Sequence, residues 1–237
     1  MIPLFDDNTT RHAPVASRTI LVTCCVVFVW QLYAGPWGPI AVRALGFTPA
    51  FFFTGGPDNP MLAWTPFAVP LVSYMFLHGG WLHLIGNMLF LWVFGDDVED
   101  ALGQPGFIVF YLLAGMAAAM AQALPDPGST LTIVGASGAI SGILGAYLVL
   151  YPRAQVNVLV PIFIVVELVR LPAWMVLLFW FAVQVLYEVT DAGLAGGIAF
   201  RAHIGGFLTG MVMAPLFLKV SGRSRADLSN DNRGLVR

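Results

Sequence analysis

The chain has 237 residues, of which 58% are apolar and 10% are charged. Soluble domains carry about 25% charged residues, so this composition excludes an ordinary soluble globular protein, and the apolar content excludes a disordered one. Eleven basic and thirteen acidic residues give a net charge of -2, which excludes a basic surface for nucleic acid. The composition is typical of a membrane protein whose surroundings are the lipid bilayer.

Six apolar segments follow one another along the chain, separated by stretches rich in Pro, Gly and Asp. A spanning helix needs about 20 mostly apolar residues, and fewer where protein shelters its ends. The predicted spans are Ile20–Ala34, Trp81–Phe94, Phe107–Ala123, Ser137–Tyr151, Ala173–Tyr187 and Ala202–Val220. We therefore predict an all-α fold, a polytopic bundle of six transmembrane helices.

Two apolar stretches do not fit a simple crossing. Val156–Val166 is short for a span and has Pro161 in its middle, so we predict an interfacial segment. The connection Gly35–Gly80 alternates apolar stretches with Gly-Gly-Pro and Asn-Pro breaks, and we expect it to lie on or partly in the outer leaflet.

The distribution of basic residues predicts the orientation. With the N-terminus in the cytoplasm, six spans leave only Arg43 and Arg201 outside, which follows the positive-inside rule. The predicted organisation is a cytoplasmic N-terminal tail at 1–17, a membrane domain at 18–220 and a basic cytoplasmic tail at 221–237. Because no transit-like segment precedes the first span, we expect a prokaryotic plasma membrane.

Polar side chains within membrane spans are costly and are therefore candidates for function. His83 and Asn87 lie four residues apart and share one face of the second span, whereas Ser137 and His203 begin the fourth and sixth spans. Even-numbered spans run from outside to inside in the predicted topology. His83, Ser137 and His203 are therefore expected at one level, near the outer surface.

Small residues line one face of the fourth and sixth spans, namely Ser137, Ser141 and Gly145, and Gly206 and Gly210. Such stripes let helix backbones approach closely. Close approach would allow a hydrogen bond of about 2.6–3.2 Å between the Ser137 hydroxyl and a ring nitrogen of His203. Because histidine can take the hydroxyl proton near neutral pH, we predict a serine–histidine dyad for acyl transfer.

Acyl transfer also requires hydrogen-bond donors for the developing oxyanion. The backbone N–H of Ser137 belongs to the first turn of a helix, where such groups are unpaired. Asn87 offers a side-chain amide and His83 a ring N–H. We expect these three donors to form an oxyanion site.

In these residues the sequence resembles the rhomboid intramembrane serine proteases. The family's second-helix pattern matches His78-Gly-Gly-Trp-Leu-His83-Leu-Ile-Gly-Asn87, and its GxSG motif matches Gly135-Ala-Ser137-Gly138. Its sixth-helix AHxxGxxxG pattern matches Ala202-His203-Ile-Gly-Gly206-Phe-Leu-Thr-Gly210. The three motifs occur in the right order on the right spans, and the likeness covers about residues 18–220.

The resemblance implies a six-helix core that cleaves transmembrane protein substrates, which enter sideways from the lipid. It implies Ser137 as nucleophile, His203 as general base and acid, and His83 and Asn87 at the oxyanion site. Gly135 and His78 complete the candidate oxyanion and substrate-binding residues, although His78 could simply border the cavity. The residues predict neither a metal nor a cofactor.

The chain departs from the family pattern in two places. Some members place a tyrosine one turn after the nucleophile, where its ring stacks on the catalytic histidine, and here that position is Ser141. Many members also carry a Trp-Arg pair in the first outer loop, which is absent between Gly35 and Gly80.

Simpler interpretations exist for each feature. Small-residue stripes and isolated polar residues such as Asn87 often serve only helix packing. The acidic cluster, made of Asp96, Asp97, Glu99 and Asp100, is predicted to be a solvated inner turn. Glu188 and Asp191 are predicted to lie in a loop before the sixth span, so we expect a dyad without a carboxylate.

Other functions fit the sequence less well. A membrane zinc protease would need His-Glu-x-x-His, an aspartyl protease two buried aspartates, and a transporter paired broken spans or intramembrane acids. The remaining alternative is a non-catalytic rhomboid-like protein that binds membrane clients for degradation or trafficking. Such a protein would be expected to lose the serine or the histidine, and both are present.

Overall fold

The computed structural model describes residues 1–56, 65–66, 68–162, 165–190, 199–224 and 227–228, and these are mostly helical. The helices in chain order are α1 (Val15–Tyr33), α2 (Trp37–Leu45), α3 (Pro49–Thr54), α4 (Pro70–Ser73), α5 (Trp81–Leu102), α6 (Gln104–Ala123), α7 (Ser137–Leu150), α8 (Ala173–Val189) and α9 (Phe200–Val220). A short 3-10 helix, Tyr74–Phe76, follows α4. The strands are β1 (Ile2–Asp6), β2 (Gln155–Ile162) and β3 (Val165–Pro172).

Each predicted span lies largely within one of the long helices, α1 and α5 to α9. Within the described residues, α1, α6 and α9 are long and apolar enough to cross a membrane by themselves. A fourth crossing is possible if α4, the 3-10 helix and α5, which are bent by 93°, act as one broken span. The helices α7 and α8 are apolar but shorter. The count of six spans therefore stays a prediction.

A three-stranded antiparallel sheet corrects the all-α prediction, and its strands contain the described part of Val156–Val166, whose interfacial position stays a prediction. The strand order is β1-β2-β3, with β2 and β3 forming a hairpin. Val156 and Val158, on one face of β2, are fully buried, as the alternation of a half-buried strand requires. Pro161 lies near the end of β2, where its missing N–H costs the sheet little.

The segment predicted as an N-terminal tail, residues 1–17, contains regular secondary structure. It contributes β1 to the sheet, and α1 begins at Val15. Next to β1, the Arg170 guanidinium donates to the Asp7 carboxylate at 2.7 Å. The hydroxyl of Tyr147, from α7, donates to the carboxylate of Asp6, whose pKa is raised by burial. These contacts hold the segment against the bundle.

The acidic cluster belongs to the last turns of α5, so its prediction as a solvated turn is wrong. Glu99 and Asp97 are buried, each with 3% of its surface exposed. The Glu99 carboxylate accepts hydrogen bonds from the backbone N–H groups of Ala16 and Ser17 at 2.8 and 2.7 Å. It thereby neutralises unpaired donors and the positive dipole end at the start of α1. The cluster is thus a structural joint, by which we mean a set of contacts that links the end of α5 to the start of α1.

The beginning of the predicted C-terminal tail packs against the same region. The guanidinium of Arg223 donates to the backbone carbonyl of Asp100, and the Ser221 hydroxyl contacts the carbonyl of Ala101 at 3.4 Å. Leu228 is buried in the core. Residues 225–226 and 229–237 lie outside the described part of the chain.

Close helix packing brings α7 and α9 together, as the small-residue stripes predicted. A Cβ atom at Gly206 would overlap the carbonyl oxygen of Gly138, and one at Gly210 would overlap that of Gly142. Most residues of α7 are buried among its neighbours. The absence of side chains at these glycines therefore lets the two backbones touch, and this contact sets the distance between the starts of α7 and α9.

The connection Gly35–Gly80 contains α2, α3 and α4 in its described parts. Phe47 forms two backbone hydrogen bonds with Ile133, at 2.9 and 2.7 Å, in the loop that leads into α7. The connection is therefore tied to the segment before Ser137. Residues 57–64 and 67 lie outside the description, and the position of this connection in the outer leaflet stays a prediction.

Candidate active site

A glycine turn places Ser137 at the first position of α7. Gly135 adopts a φ of +121°, which side chains other than hydrogen rarely allow. Its backbone N–H donates to the carbonyl of Tyr74 at 2.9 Å, and the Tyr74 hydroxyl donates to the carbonyl of Gly115 on α6 at 2.8 Å. The turn before Ser137 is therefore fixed by the 3-10 helix and, through it, by α6.

Ser137 and His203 meet across the contact between α7 and α9. Their Oγ and Nε2 atoms are 2.8 Å apart, so the hydrogen bond predicted from the sequence is present. This distance suits a pair in which a ring nitrogen takes the proton of a hydroxyl. Both residues are partly exposed.

The other ring nitrogen of His203 has a partner that the sequence analysis did not identify. Nδ1 lies 2.8 Å from Oε1 of Gln184, a buried residue of α8. The available signal was that Gln184 is a polar residue within the predicted span Ala173–Tyr187, whose other members are apolar or aromatic.

The predicted location of Glu188 in a loop is wrong, because this residue lies in the last turn of α8. Its carboxylate pairs with Nε of Arg201 at 2.5 Å, which joins the end of α8 to the start of α9. Asp191 lies outside the described residues. Of the two acids considered in the sequence analysis, the described one is thus engaged with an arginine.

Aromatic rings of α8 and α9 border the imidazole of His203. The ring centroid of Trp180 is 6.0 Å away, and that of Phe200 is 6.1 Å away in an edge-on arrangement. Ser141, which replaces the tyrosine of some similar proteins, is buried and donates to the backbone carbonyl of Ser137 at 2.6 Å. Trp180 of α8 therefore borders the imidazole, and position 141 of α7 supplies no aromatic ring.

The turn before Ser137 also lies against the two polar residues of α5. A Cβ atom at Gly135 would come within 2.6 Å of Nε2 of His83 and 3.7 Å of Nδ2 of Asn87. A side chain at this position would displace the ring of His83, and the positive φ of Gly135 also favours glycine. The Asn87 amide donates one hydrogen to the carbonyl of His83 at 3.0 Å, which leaves its second hydrogen for another acceptor.

The hydrogen bonding of His83 indicates which ring nitrogen carries its proton. The backbone N–H of Gly79 donates to Nδ1 at 3.3 Å, so in the neutral ring the proton is on Nε2, the atom beside Gly135. His83 and Asn87 thus both present hydrogen-bond donors next to the turn that carries Ser137. This arrangement suits the stabilisation of an anionic oxygen.

His78 lies behind this group, buried and edge-on to the ring of His83 at 5.3 Å between centroids. Its backbone N–H and carbonyl are both bound by the side chain of Gln31 on α1, at 3.0 and 3.1 Å. The structure therefore places His78 against His83, where it supports the start of α5.

A second glutamine that the sequence analysis did not identify supports the start of α9. The Oε1 atom of Gln122, at the end of α6, accepts a hydrogen bond from the backbone N–H of Ala202 at 3.2 Å. This N–H belongs to the first turn of α9, where donors lack partners within the helix. Gln122 thereby holds the backbone next to His203.

Comparison with known proteins identifies the family. A family model described as Rhomboid domain matches residues 64–220, which include the three motifs and the helices α5 to α9. Among curated relatives, RHOMBOID-like protein 5 of Arabidopsis thaliana is 38% identical over 78 residues, which are 33% of this chain and 25% of that protein.

Two further relatives match longer segments. Rhomboid protein 1, mitochondrial, of Saccharomyces cerevisiae is 30% identical over 149 residues, which are 61% of this chain and 40% of that protein. Rhomboid protease GluP of Bacillus subtilis is 38% identical over 97 residues, which are 40% of this chain and 18% of that protein. The chain therefore spans two fifths or less of the length of these three relatives.

Proposed function

This chain belongs to the rhomboid family, and on that basis we propose that it is an intramembrane serine endopeptidase. Its substrates are membrane proteins, which it cuts in or near a transmembrane segment. The observation that carries the proposal is the 2.8 Å contact between Oγ of Ser137 and Nε2 of His203 at the start of two closely packed helices.

The geometry supports a two-step hydrolysis. Nε2 of His203 accepts the Ser137 proton as Oγ attacks the scissile carbonyl carbon, and the oxyanion receives hydrogen bonds from the Ser137 N–H, Asn87 and His83. The C–N bond then breaks, and His203 gives the proton to the leaving amine. A water molecule, deprotonated by His203, then attacks the acyl carbon on Ser137. The C–Oγ bond breaks, His203 returns the proton to Oγ, and the new carboxyl end of the substrate leaves.

In the proposed membrane arrangement six helices cross the bilayer, with both termini in the cytoplasm of a prokaryotic cell. The 14 residues of α7 extend for only about 21 Å, against about 30 Å of hydrocarbon. Ser137 would therefore lie below the outer surface, in a depression that water reaches. A transmembrane substrate would approach it sideways from the lipid.

The alternative is a non-catalytic relative that binds membrane clients for degradation or trafficking. Such a protein does not need a serine hydroxyl held at hydrogen-bond distance from an imidazole. The contact between Ser137 and His203 therefore favours the enzyme, and labelling of the serine separates the two functions.

A fluorophosphonate probe tests the proposal on the purified protein in liposomes, because it reacts with activated serines. We expect the wild type to be labelled and Ser137→Ala to remain unlabelled. Ser141→Ala, one helical turn away, is the matched control and should be labelled like the wild type. Labelling that survives Ser137→Ala, or a folded wild type that neither reacts nor cleaves, would contradict the proposal.

A further inference from the structure

The imidazole of His203 is held from both of its nitrogens. Nε2 faces Oγ of Ser137 and Nδ1 faces Oε1 of Gln184, each at 2.8 Å. Gln184 is 7% exposed, and it comes from α8, a different helix from those that carry the serine and the histidine. A buried amide at this position must be hydrogen-bonded, so its contact with the ring is not incidental.

The hydrogen bond of the Gln184 nitrogen determines which way the side-chain amide points. Nε2 of Gln184 donates to the backbone carbonyl of Trp180 at 3.4 Å, one turn earlier in α8. Because a carbonyl oxygen only accepts, the NH₂ group belongs on that side and Oε1 on the side of His203. An accepting oxygen at Nδ1 requires that Nδ1 carry the ring proton. In the neutral ring, Nε2 is then the acceptor that faces Ser137.

We propose that Gln184 is a positioning residue, which fixes the tautomer and the rotation of His203 through its side-chain oxygen. In hydrolases with a serine, a histidine and an aspartate, a carboxylate does this by binding the Nδ1 proton. Here a neutral amide takes that place on α8. The kinetic consequence rests on the proposed protease function, whereas the tautomer can be measured without it.

Two variants separate the role of the oxygen from that of side-chain bulk. Gln184→Met keeps the length of the side chain and removes the acceptor, and Gln184→Glu keeps an oxygen at the same position. In Gln184→Met we expect kcat to fall about tenfold to a hundredfold with KM unchanged, because a fraction of the rings then carries the proton on Nε2. In Gln184→Glu we expect more than half of the lost rate to return.

The direct test is nitrogen NMR of protein with ¹⁵N-labelled histidine in lipid nanodiscs. The chain has four histidines, and the His203→Ala variant assigns the signals of interest. We expect the wild type to carry the proton on Nδ1 of His203, and Gln184→Met to show both tautomers. A proton on Nε2 in the wild type would overturn the proposal, even if Gln184→Met does not fold.

Gln122→Met is the matched control, because it removes a partly buried glutamine that binds the backbone of α9 and no ring nitrogen. We expect it to leave the tautomer of His203 unchanged, and a change equal to that in Gln184→Met would overturn the proposal.

The outcomes also separate the two proposals. If the wild type has the expected tautomer but cleaves nothing, the protease function fails alone. If it cleaves but Gln184→Met is identical to it, the positioning role fails alone.

Discussion

The two ends of the same helices use polar residues in opposite ways. At the site end, defined by Ser137, His203 and Asn87, the groups that meet are neutral amides, hydroxyls and imidazoles. At the sheet end, defined by β1, β2, β3 and the last turns of α5, carboxylates meet backbone N–H groups, a tyrosine hydroxyl and basic side chains. The helices α5 and α7 contribute to both ends, so the difference depends on position along a helix.

The partners explain the difference. At the sheet end, Glu99 is bound by two backbone N–H groups of α1, and Asp100 contacts Nδ1 of His12 at 2.8 Å. These carboxylates are bound by other groups of the protein and join its segments. At the site end, Asn87 and His83 each have a donor that binds no other group among the described residues. Most of the described ion pairs therefore lie at the sheet end, with Glu188 and Arg201 as the exception, whereas the donors available to a ligand lie at the site end.

The largest expected effect is the loss of turnover in Asn87→Ala, a substitution at the site end. Loss of one oxyanion donor lowers turnover by about a hundredfold to a thousandfold in other hydrolases, and we expect a fall of about tenfold to a thousandfold here. Stability should change little. The measurement is kcat for a single-span substrate in liposomes, together with the unfolding midpoint in mild detergent.

Asn8→Ala is the control for this experiment, because it removes the same side chain at the sheet end. Asn8 donates to the hydroxyl of Tyr147 at 2.8 Å, far along α7 from Ser137. Turnover should therefore be retained. Unchanged turnover in Asn87→Ala would remove this residue from the mechanism, and an equal loss in both variants would mean that the two ends are not separable.

A smaller effect, on stability rather than turnover, is expected from Glu99→Gln at the sheet end. The amide can accept only one of the two backbone N–H groups and loses the charge, so we expect about 1–3 kcal/mol less stability. The measurement is unfolding in mild detergent. The rate of serine labelling well below the unfolding midpoint should stay within about twofold of the wild type.

Glu167→Gln provides the comparison for that loss, because Glu167 is exposed on β3 and its replacement should change stability by less than about 0.5 kcal/mol. If Glu99→Gln unfolds at the same midpoint as Glu167→Gln, the buried carboxylate does not act as a joint. If it instead abolishes labelling while the fold is intact, the sheet end takes part in the site.

The sequence predicted the residues whose positions follow from helix geometry. His83 and Asn87 share a face because they are four residues apart, and Ser137 and His203 begin apolar helices of the same direction. Gln184 was not predicted as the partner of His203 because their contact depends on the tilt at which α8 packs against α9. No spacing along the chain encodes that tilt.

The sheet and the joints were missed for a related reason. A short apolar run such as β2 cannot be assigned to helix or strand by periodicity alone, and the strand that completes the sheet lies about 150 residues earlier. Glu99 looks like a solvated acid because its partners, Ala16 and Ser17, are distant in sequence. The number of spans is obscured because α5 continues past its apolar part into the acids.

The central claim is that Ser137, activated by His203, hydrolyses a peptide bond of a membrane-embedded chain. Its most direct measurement is the incubation of wild-type and Ser137→Ala protein in liposomes with a panel of single-span substrates, followed by mass spectrometry of the fragments. We predict that the wild type cuts at least one substrate in or next to its apolar segment and that Ser137→Ala cuts none. Fragments produced equally by Ser137→Ala, or cuts confined to regions far from the membrane, would contradict it.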